Sequence, residues 1–160
     1  MAWLRSHARR WANERAATEH IVKFTAVSFA HGVRKIFFHA GTCGTINGPD
    51  AGGVLFEYGG SPRKMLPGVA ALTRILGVPQ DCVQILHVQG VAAYLFKVNR
   101  RTVAIAWCDA GPPCSLRPAP AVQAYDIMGN PLTLEGTALN QTPIYLVGDS
   151  AQAILPAVAQ

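Results

Sequence analysis

A short apolar run directly behind a long helical pattern constrains this fold more than any other stretch. The run covers residues 33–39, with β-branched and aromatic residues at its centre and Gly32 and Gly41 on either side. Strands that are buried on both faces read as continuous apolar runs, so the pattern predicts a buried strand. A polar, glycine-rich loop follows, and we therefore expect a functional site at the C-terminal end of this strand.

The segment before this run predicts a helix. Residues 8–31 contain neither Gly nor Pro, and their apolar residues recur at spacings of three and four. The predicted buried face comprises Ile21, Phe24, Val27, Ser28 and His31, widened by Val22, Ala26 and Phe29. Gly32 fits the position just past the helix end. A helix that passes through one glycine into an apolar strand is half of a βαβ unit.

The segment after the run predicts a loop and a second helix. The loop, residues 40–53, lacks the lysine and hydroxyl of a GxxxxGK[ST] phosphate loop. Residues 54–58 predict a short extended segment. Ser61 suits the N-cap of a helix with Pro62 at its first position, and this helix runs to about Leu76 before Gly77.

From Asp81 the apolar periodicity changes from helical to strand-like. Strands are predicted at residues 83–88, 91–98, 102–107, 122–127, 131–134 and 142–147, with turns at 89–90 and 99–101. Short strands at this spacing are typical of an antiparallel sheet or sandwich. Asp149 and Ser150 suit the cap of a closing helix over residues 151–157. The change divides the chain into two predicted domains, residues 1–78 and 79–160.

The basic character of the chain is confined to its start. The net charge is +5, and residues 1–35 hold seven basic and two acidic residues, while the remainder balances seven against seven. A nucleic-acid footprint is one interpretation, and the solvated face of one helix is the interpretation we favour. No apolar run approaches the ~18 residues of a membrane span. The N-terminus lacks the apolar region of a secretory signal, and an Arg-rich transit peptide stays an alternative.

The four cysteines, Cys43, Cys82, Cys108 and Cys114, form no CxxC pair. A zinc site is therefore not expected. Cys108 and Cys114 bracket the sequence DAGPP, a turn that can bring them together as a local disulfide, and buried or free thiols are equally compatible with the sequence.

Several segments together carry a family resemblance. They are GVLFEY at residues 53–58, SPRKMLPGVAAL at 61–72, AIAW at 104–107, AYDIMGNP at 124–131 and TPIYL at 142–146. Their order, after the helix and the strand at 33–39, resembles the C-terminal end of a (β/α)8-barrel glycoside hydrolase of the large retaining clan. The resemblance implies the last helix–strand–helix segment of a TIM-type barrel followed by a small antiparallel β-sandwich.

The resemblance also implies where the chemistry lies. Retaining glycosidases use two carboxyl groups about 5–5.5 Å apart, which in this family stand at the ends of the fourth and seventh strands. With residues 33–39 as the eighth strand, both positions fall before Met1, so no catalytic residue is predicted in this chain. His39, Thr42, Asn47 and Glu57 are the predicted sugar-binding rim. For His39 a packed core position, and for Glu57 a plain loop or rim position, are the alternatives.

The expected partners are a carbohydrate and, for a fragment, the N-terminal part of the barrel, with no cofactor, metal, nucleic acid or membrane. The isolated chain is expected to be inactive. The alternative function is a non-catalytic carbohydrate-binding or interaction module. Four strand aromatics, Tyr94, Trp107, Tyr125 and Tyr145, can form a carbohydrate platform or fill the core, and we favour the core.

Overall fold

The computed structural model describes residues 13–37, 55, 62–63, 65–109 and 112–158. Within these ranges the chain forms three helices and eight strands, and every strand pairing is antiparallel. The predicted mixture of helices with an antiparallel sheet is therefore confirmed. No closed barrel is visible in the part of the chain that is described.

The three helices begin and end at sequence signals. They are α1 (Glu14–Ala30), α2 (Met65–Leu76) and α3 (Ala151–Val158). Asn13 caps α1, because its side chain accepts a hydrogen bond of 2.9 Å from the Ala16 N–H. Ser150 likewise accepts from the Ala153 N–H at the start of α3. Helix α2 starts later than predicted, with Pro62 outside it, and Gly77 follows its end in the left-handed conformation (φ 59°).

The eight strands form two sheets. They are β1 (Asp81–Val88), β2 (Val91–Val98), β3 (Arg101–Cys108), β4 (Cys114–Ser115), β5 (Gln123–Tyr125), β6 (Pro131–Leu132), β7 (Ala138–Leu139) and β8 (Ile144–Gly148). Six of them form one sheet in the order β1-β2-β3-β8-β5-β6, and β4 pairs with β7 in a second, two-stranded sheet. Gln89 and Gly90, both with positive φ, make the predicted tight turn between β1 and β2.

The six-stranded sheet is covered on both faces. Helices α1 and α2 pack on one face, where Val22, Ala26, Leu72 and Leu76 join the aromatic side chains of the sheet in a single cluster. Helix α3 and residues of the small sheet pack on the other face. The first cluster contains residues from both sides of the predicted domain boundary. The division into residues 1–78 and 79–160 stays a prediction.

The predicted strand at residues 33–39 is not formed in its described part. Residues 33–37 adopt neither helix nor strand, and Val33 and Phe37 are 44% and 89% exposed. A strand needs a neighbour for its backbone groups, and no described strand pairs with this segment. Arg34 and Lys35 also interrupt its apolar pattern. Phe38 and His39 lie outside the described residues.

The predicted buried face of α1 is confirmed only for Val22 and Ala26, and it is wrong for Phe24, Val27 and His31. The buried residues are Ala17, Thr18, Val22, Thr25 and Ala26. At 3.6 residues per turn, Phe24 and Val27 lie on the opposite side of the helix, and they are 49% and 36% exposed. Apolar side chains occur around most of α1, so the sequence pattern alone did not decide which side the sheet would cover.

Candidate functional site

The four residues predicted to line a sugar-binding rim are His39, Thr42, Asn47 and Glu57. All four lie outside the described residues, as does the glycine-rich loop at 40–53. Leu55 is the one described residue of the predicted extended segment 54–58, and it is buried against Ala17 and Met65. The rim therefore stays a prediction.

Several carboxylates in the described part of the chain hold turns and side chains in place. Asp126 accepts hydrogen bonds from the Met128 and Asn130 backbone N–H groups, at 2.9 and 2.8 Å, and fixes the turn between β5 and β6. Asp109 accepts from the Trp107 indole N–H. Glu19 accepts from Arg15 and from the Thr142 hydroxyl. These side chains have structural partners and form no arrangement typical of general acid–base chemistry.

A shallow groove runs along the β5–β6 end of the large sheet, and we call it the Tyr125 groove. Its volume is about 560 Å³. Its lining comprises Pro118, Ala119, Pro120, Val122, Gln123, Ala124, Tyr125, Pro131, Leu132, Thr133, Leu134 and Glu135. Tyr125 is half-buried, and its hydroxyl donates a hydrogen bond of 2.9 Å to Gln123 Oε1.

The Tyr125 groove combines an aromatic ring with exposed polar groups. Gln123, Thr133 and Glu135 are exposed around it. An aromatic side chain offers a flat apolar body with a polar end, and amide, hydroxyl and carboxylate groups offer hydrogen-bond donors and acceptors. The groove is thus suited to binding a polar ligand that has an apolar face. The sequence drew attention to Tyr125 but not to Gln123 or Glu135. Gln123 lies two residues before Tyr125 on β5, and the pairing of β5 with β6 brings Glu135 to the same groove.

The other three strand aromatics belong to the core, as favoured from the sequence. Tyr94, Trp107 and Tyr145 are 5%, 3% and 0% exposed. Tyr94 stacks on Trp107 with ring centroids 5.3 Å apart, and Lys23 Nζ lies 5.4 Å from the Trp107 ring centroid. The Tyr94 hydroxyl is 3.2 Å from His87 Nε2. This cluster joins α1 to the sheet and presents no open aromatic platform.

A smaller cavity of about 270 Å³ lies where α1 ends against the start of β1. Its lining comprises Phe29, Ala30, Gly32, Val33, Arg34, Val78, Pro79, Gln80, Asp81, Cys82 and Phe96. Burial raises the pKa of the Cys82 thiol, and a hydrogen bond to the Gln84 backbone acts in the opposite direction. Cys82 is therefore a poor candidate for a reactive nucleophile.

In the described ranges, no group of three or more His, Cys, Asp or Glu side chains could hold a metal ion. None of the helices described has the length and apolar character needed to cross a membrane.

Comparison with known proteins adds no identification. No family model, no curated protein and no solved structure matches this chain.

Proposed function

We propose that this chain is the C-terminal portion of a (β/α)8-barrel glycoside hydrolase. Residues 1–78 supply the last helix–strand–helix segment of the barrel, and residues 79–160 form a β-sandwich accessory domain. The two catalytic carboxylates belong to upstream sequence, so the 160-residue chain by itself hydrolyses no glycosidic bond.

The observation that carries this proposal is that α1 has apolar side chains on two opposite sides. Val22 and Ala26 are fully buried against the sheet and α2, whereas Phe24 and Val27, on the opposite side, are 49% and 36% exposed. A helix with apolar side chains on two opposite sides is typical of a position between two packed layers. The sheet is one layer, and the missing part of a barrel is the second.

The segment behind α1 supports the same proposal. Val33 and Phe37 are exposed apolar side chains in a segment that belongs to no described strand. Such a run acquires backbone partners and a covered surface when it enters a sheet. Helices α1 and α2 also pack directly against each other, with Gly68 beside Thr18, as consecutive barrel helices do.

Hydrolysis of aryl glycosides by two proteins tests the proposal. The first is the 160-residue chain, and the second carries in addition the sequence encoded upstream of Met1. We expect turnover only from the longer protein, lost when the glutamate at the end of its seventh strand is changed to Gln. Turnover by the short chain that disappears in Glu57→Gln would refute the proposal, as would upstream sequence without a strand ending in glutamate.

The Tyr125 groove favours a second candidate, a non-catalytic carbohydrate-binding module. Its ring, amide and carboxylate groups are available in the 160-residue chain without any upstream sequence. Oligosaccharide binding measured by calorimetry discriminates the two candidates. Binding that is lost in Tyr125→Ala and Glu135→Gln, and retained in the exposed control Asp149→Asn, supports the module. Absence of binding eliminates it.

A further inference from the structure

Two cysteine side chains share one hydrogen-bond acceptor at the end of β3. The Cys108 and Cys114 Sγ atoms lie 3.7 and 3.8 Å from the Pro112 carbonyl oxygen. Both sulfur atoms therefore occupy the same small volume, although no disulfide joins them in this structure.

The backbone brings the two residues together independently of the side chains. Cys114 stands opposite Leu139 in the β4–β7 ladder. The Cys108 N–H donates a hydrogen bond of 2.8 Å to the carbonyl of Asn140, which follows Leu139 in the chain. The two cysteines thus adjoin one stretch of backbone from either side. A disulfide requires Cα atoms within about 7 Å and converging Cβ atoms, and the contact of both Sγ atoms with the Pro112 carbonyl oxygen shows that the two side chains converge.

We propose that Cys108 and Cys114 are a redox-responsive thiol pair, which a disulfide oxidant such as glutathione disulfide converts into an intramolecular disulfide. The bond ties the last residue of β3, in the large sheet, to the first residue of β4, in the small sheet. It closes a short loop, since the residues are six positions apart.

The difference in exposure sets the order of the two exchange steps. Cys108 is 3% exposed and Cys114 is half-buried, so Cys114 meets the oxidant first. Its thiol loses a proton, and the thiolate attacks one sulfur of glutathione disulfide and releases one glutathione. The Cys108 thiol then loses its proton and attacks the Cys114 sulfur, which releases the second glutathione. Two protein thiols are oxidised, and one glutathione disulfide is reduced to two thiols.

The oxidation is expected to be slow at neutral pH. Desolvation, followed by the hydrogen bond and the charge interaction with Cys108, raises the pKa of the Cys114 thiol. Because the thiolate is the attacking species, its small population limits the rate. The pair is therefore suited to a stable response to an oxidising environment and not to rapid turnover.

Thiol alkylation after equilibration in glutathione redox buffers tests the proposal on the full 160-residue chain. We expect oxidation to remove two alkylation sites, to lighten the protein by two hydrogen atoms and to yield one peptide linking Cys108 to Cys114. The oxidised chain should melt roughly 5 °C higher than the reduced chain, because the closed loop restricts the unfolded state.

Matched cysteine variants show whether the disulfide joins Cys108 to Cys114. Cys82→Ser should keep the two-thiol oxidation, and Cys114→Ser should abolish both the cross-link and the rise in melting temperature. Since Cys114 is half-buried, its serine variant should still fold, as circular dichroism can verify. A cross-link to Cys43 or Cys82, stable glutathione adducts without a cross-link, or resistance of both thiols in an oxidising buffer would each overturn the proposal.

Discussion

Gly68 of α2 lies directly against the methyl group of Thr18 in α1. A Cβ atom built on Gly68 would come closer than 3.0 Å to Thr18 Cγ2, a separation that real Cβ atoms essentially never show. Thr18 has little freedom to give way, because it is 1% exposed and its hydroxyl donates a hydrogen bond of 2.8 Å to the Glu14 carbonyl. The glycine is therefore what allows the two helices to approach each other at this point.

Gly68→Ala should destabilise the protein by about 1–3 kcal/mol, because the overpacking outweighs the helix propensity of Ala, which is about 1 kcal/mol better than that of Gly. Urea unfolding monitored by circular dichroism measures the free energy. Thr18→Ser is the matched partner, since it removes the methyl group and keeps the hydroxyl. In that background Gly68→Ala should cost much less, and an equal cost in both backgrounds would contradict the proposed contact.

Tyr145→Phe should leave stability at neutral pH unchanged or raise it by about 1 kcal/mol. The Tyr145 hydroxyl is buried and has no hydrogen-bond partner among the described residues. Removing a buried polar group without a partner relieves its desolvation cost. A loss of more than about 1 kcal/mol in thermal or urea unfolding would indicate a partner for this hydroxyl.

The same side chain makes stability sensitive to alkaline pH. Burial, and secondly the negative charge of Asp126, holds the pKa of Tyr145 well above its usual range. Above about pH 10 the unfolded chain loses this proton while the folded chain keeps it, so the free energy of unfolding falls by about 1.4 kcal/mol per pH unit. The part of the free energy of unfolding that is linked to this raised pKa is fully present below about pH 10. Urea unfolding at several alkaline pH values should show a shallower decline for Tyr145→Phe than for the wild type.

Two substitutions on opposite sides of α1 should behave differently. In the 160-residue chain, Val22→Ala should cost about 2 kcal/mol because Val22 is fully buried. Phe24→Ala should change stability by less than about 0.5 kcal/mol, since the side chain is half exposed. Thermal unfolding measures both effects. In the longer protein with upstream sequence, Phe24→Ala should become as costly as Val22→Ala, and no such change would argue against a barrel on that side.

Arg101, the first residue of β3, caps the C-terminal end of α2. Its Nη2 atom donates a hydrogen bond of 2.8 Å to the Ile75 carbonyl, one of the carbonyls at the helix end that lack intrahelical partners. Arg101→Ala should therefore cost about 1 kcal/mol in urea unfolding. Arg100→Ala, at the adjacent exposed turn position, is the control and should have little effect. Equal losses would indicate a general charge effect instead of a specific bond.

Six of the eight described strands were predictable because their signals are local, whereas the two-residue strands β4 and β7 were not predicted. Two short strand-like runs, and the Gln89–Gly90 turn with positive φ at both positions, define the β1–β2 hairpin within about twenty residues. The predicted bounds of β2 agree with the structure at both ends. Such hairpins need no information from distant parts of the chain.

The first half was less predictable because its pattern depends on distant partners. The apolar side chains of Val33, Ile36 and Phe37, and those on α1, indicate a preference for burial but do not identify what covers them. For the same reason the proximity of Gly68 and Thr18, and that of Glu135 and Tyr125, could not be derived from spacing. The predicted rim residues His39, Thr42, Asn47 and Glu57 lie outside the described residues, so their grouping stays a prediction.

The central position of β3 in the large sheet determines how its backbone amides exchange hydrogen with water. Strands β2 and β8 pair with its two edges, and residues 102–108 are buried between the two faces. Hydrogen exchange at the paired amides of β3 therefore requires the sheet to separate, whereas amides at exposed ends exchange through small local openings. The slowest amide protons of β3 thus report the global free energy of unfolding, and the protein contains its own internal standard for every substitution compared above.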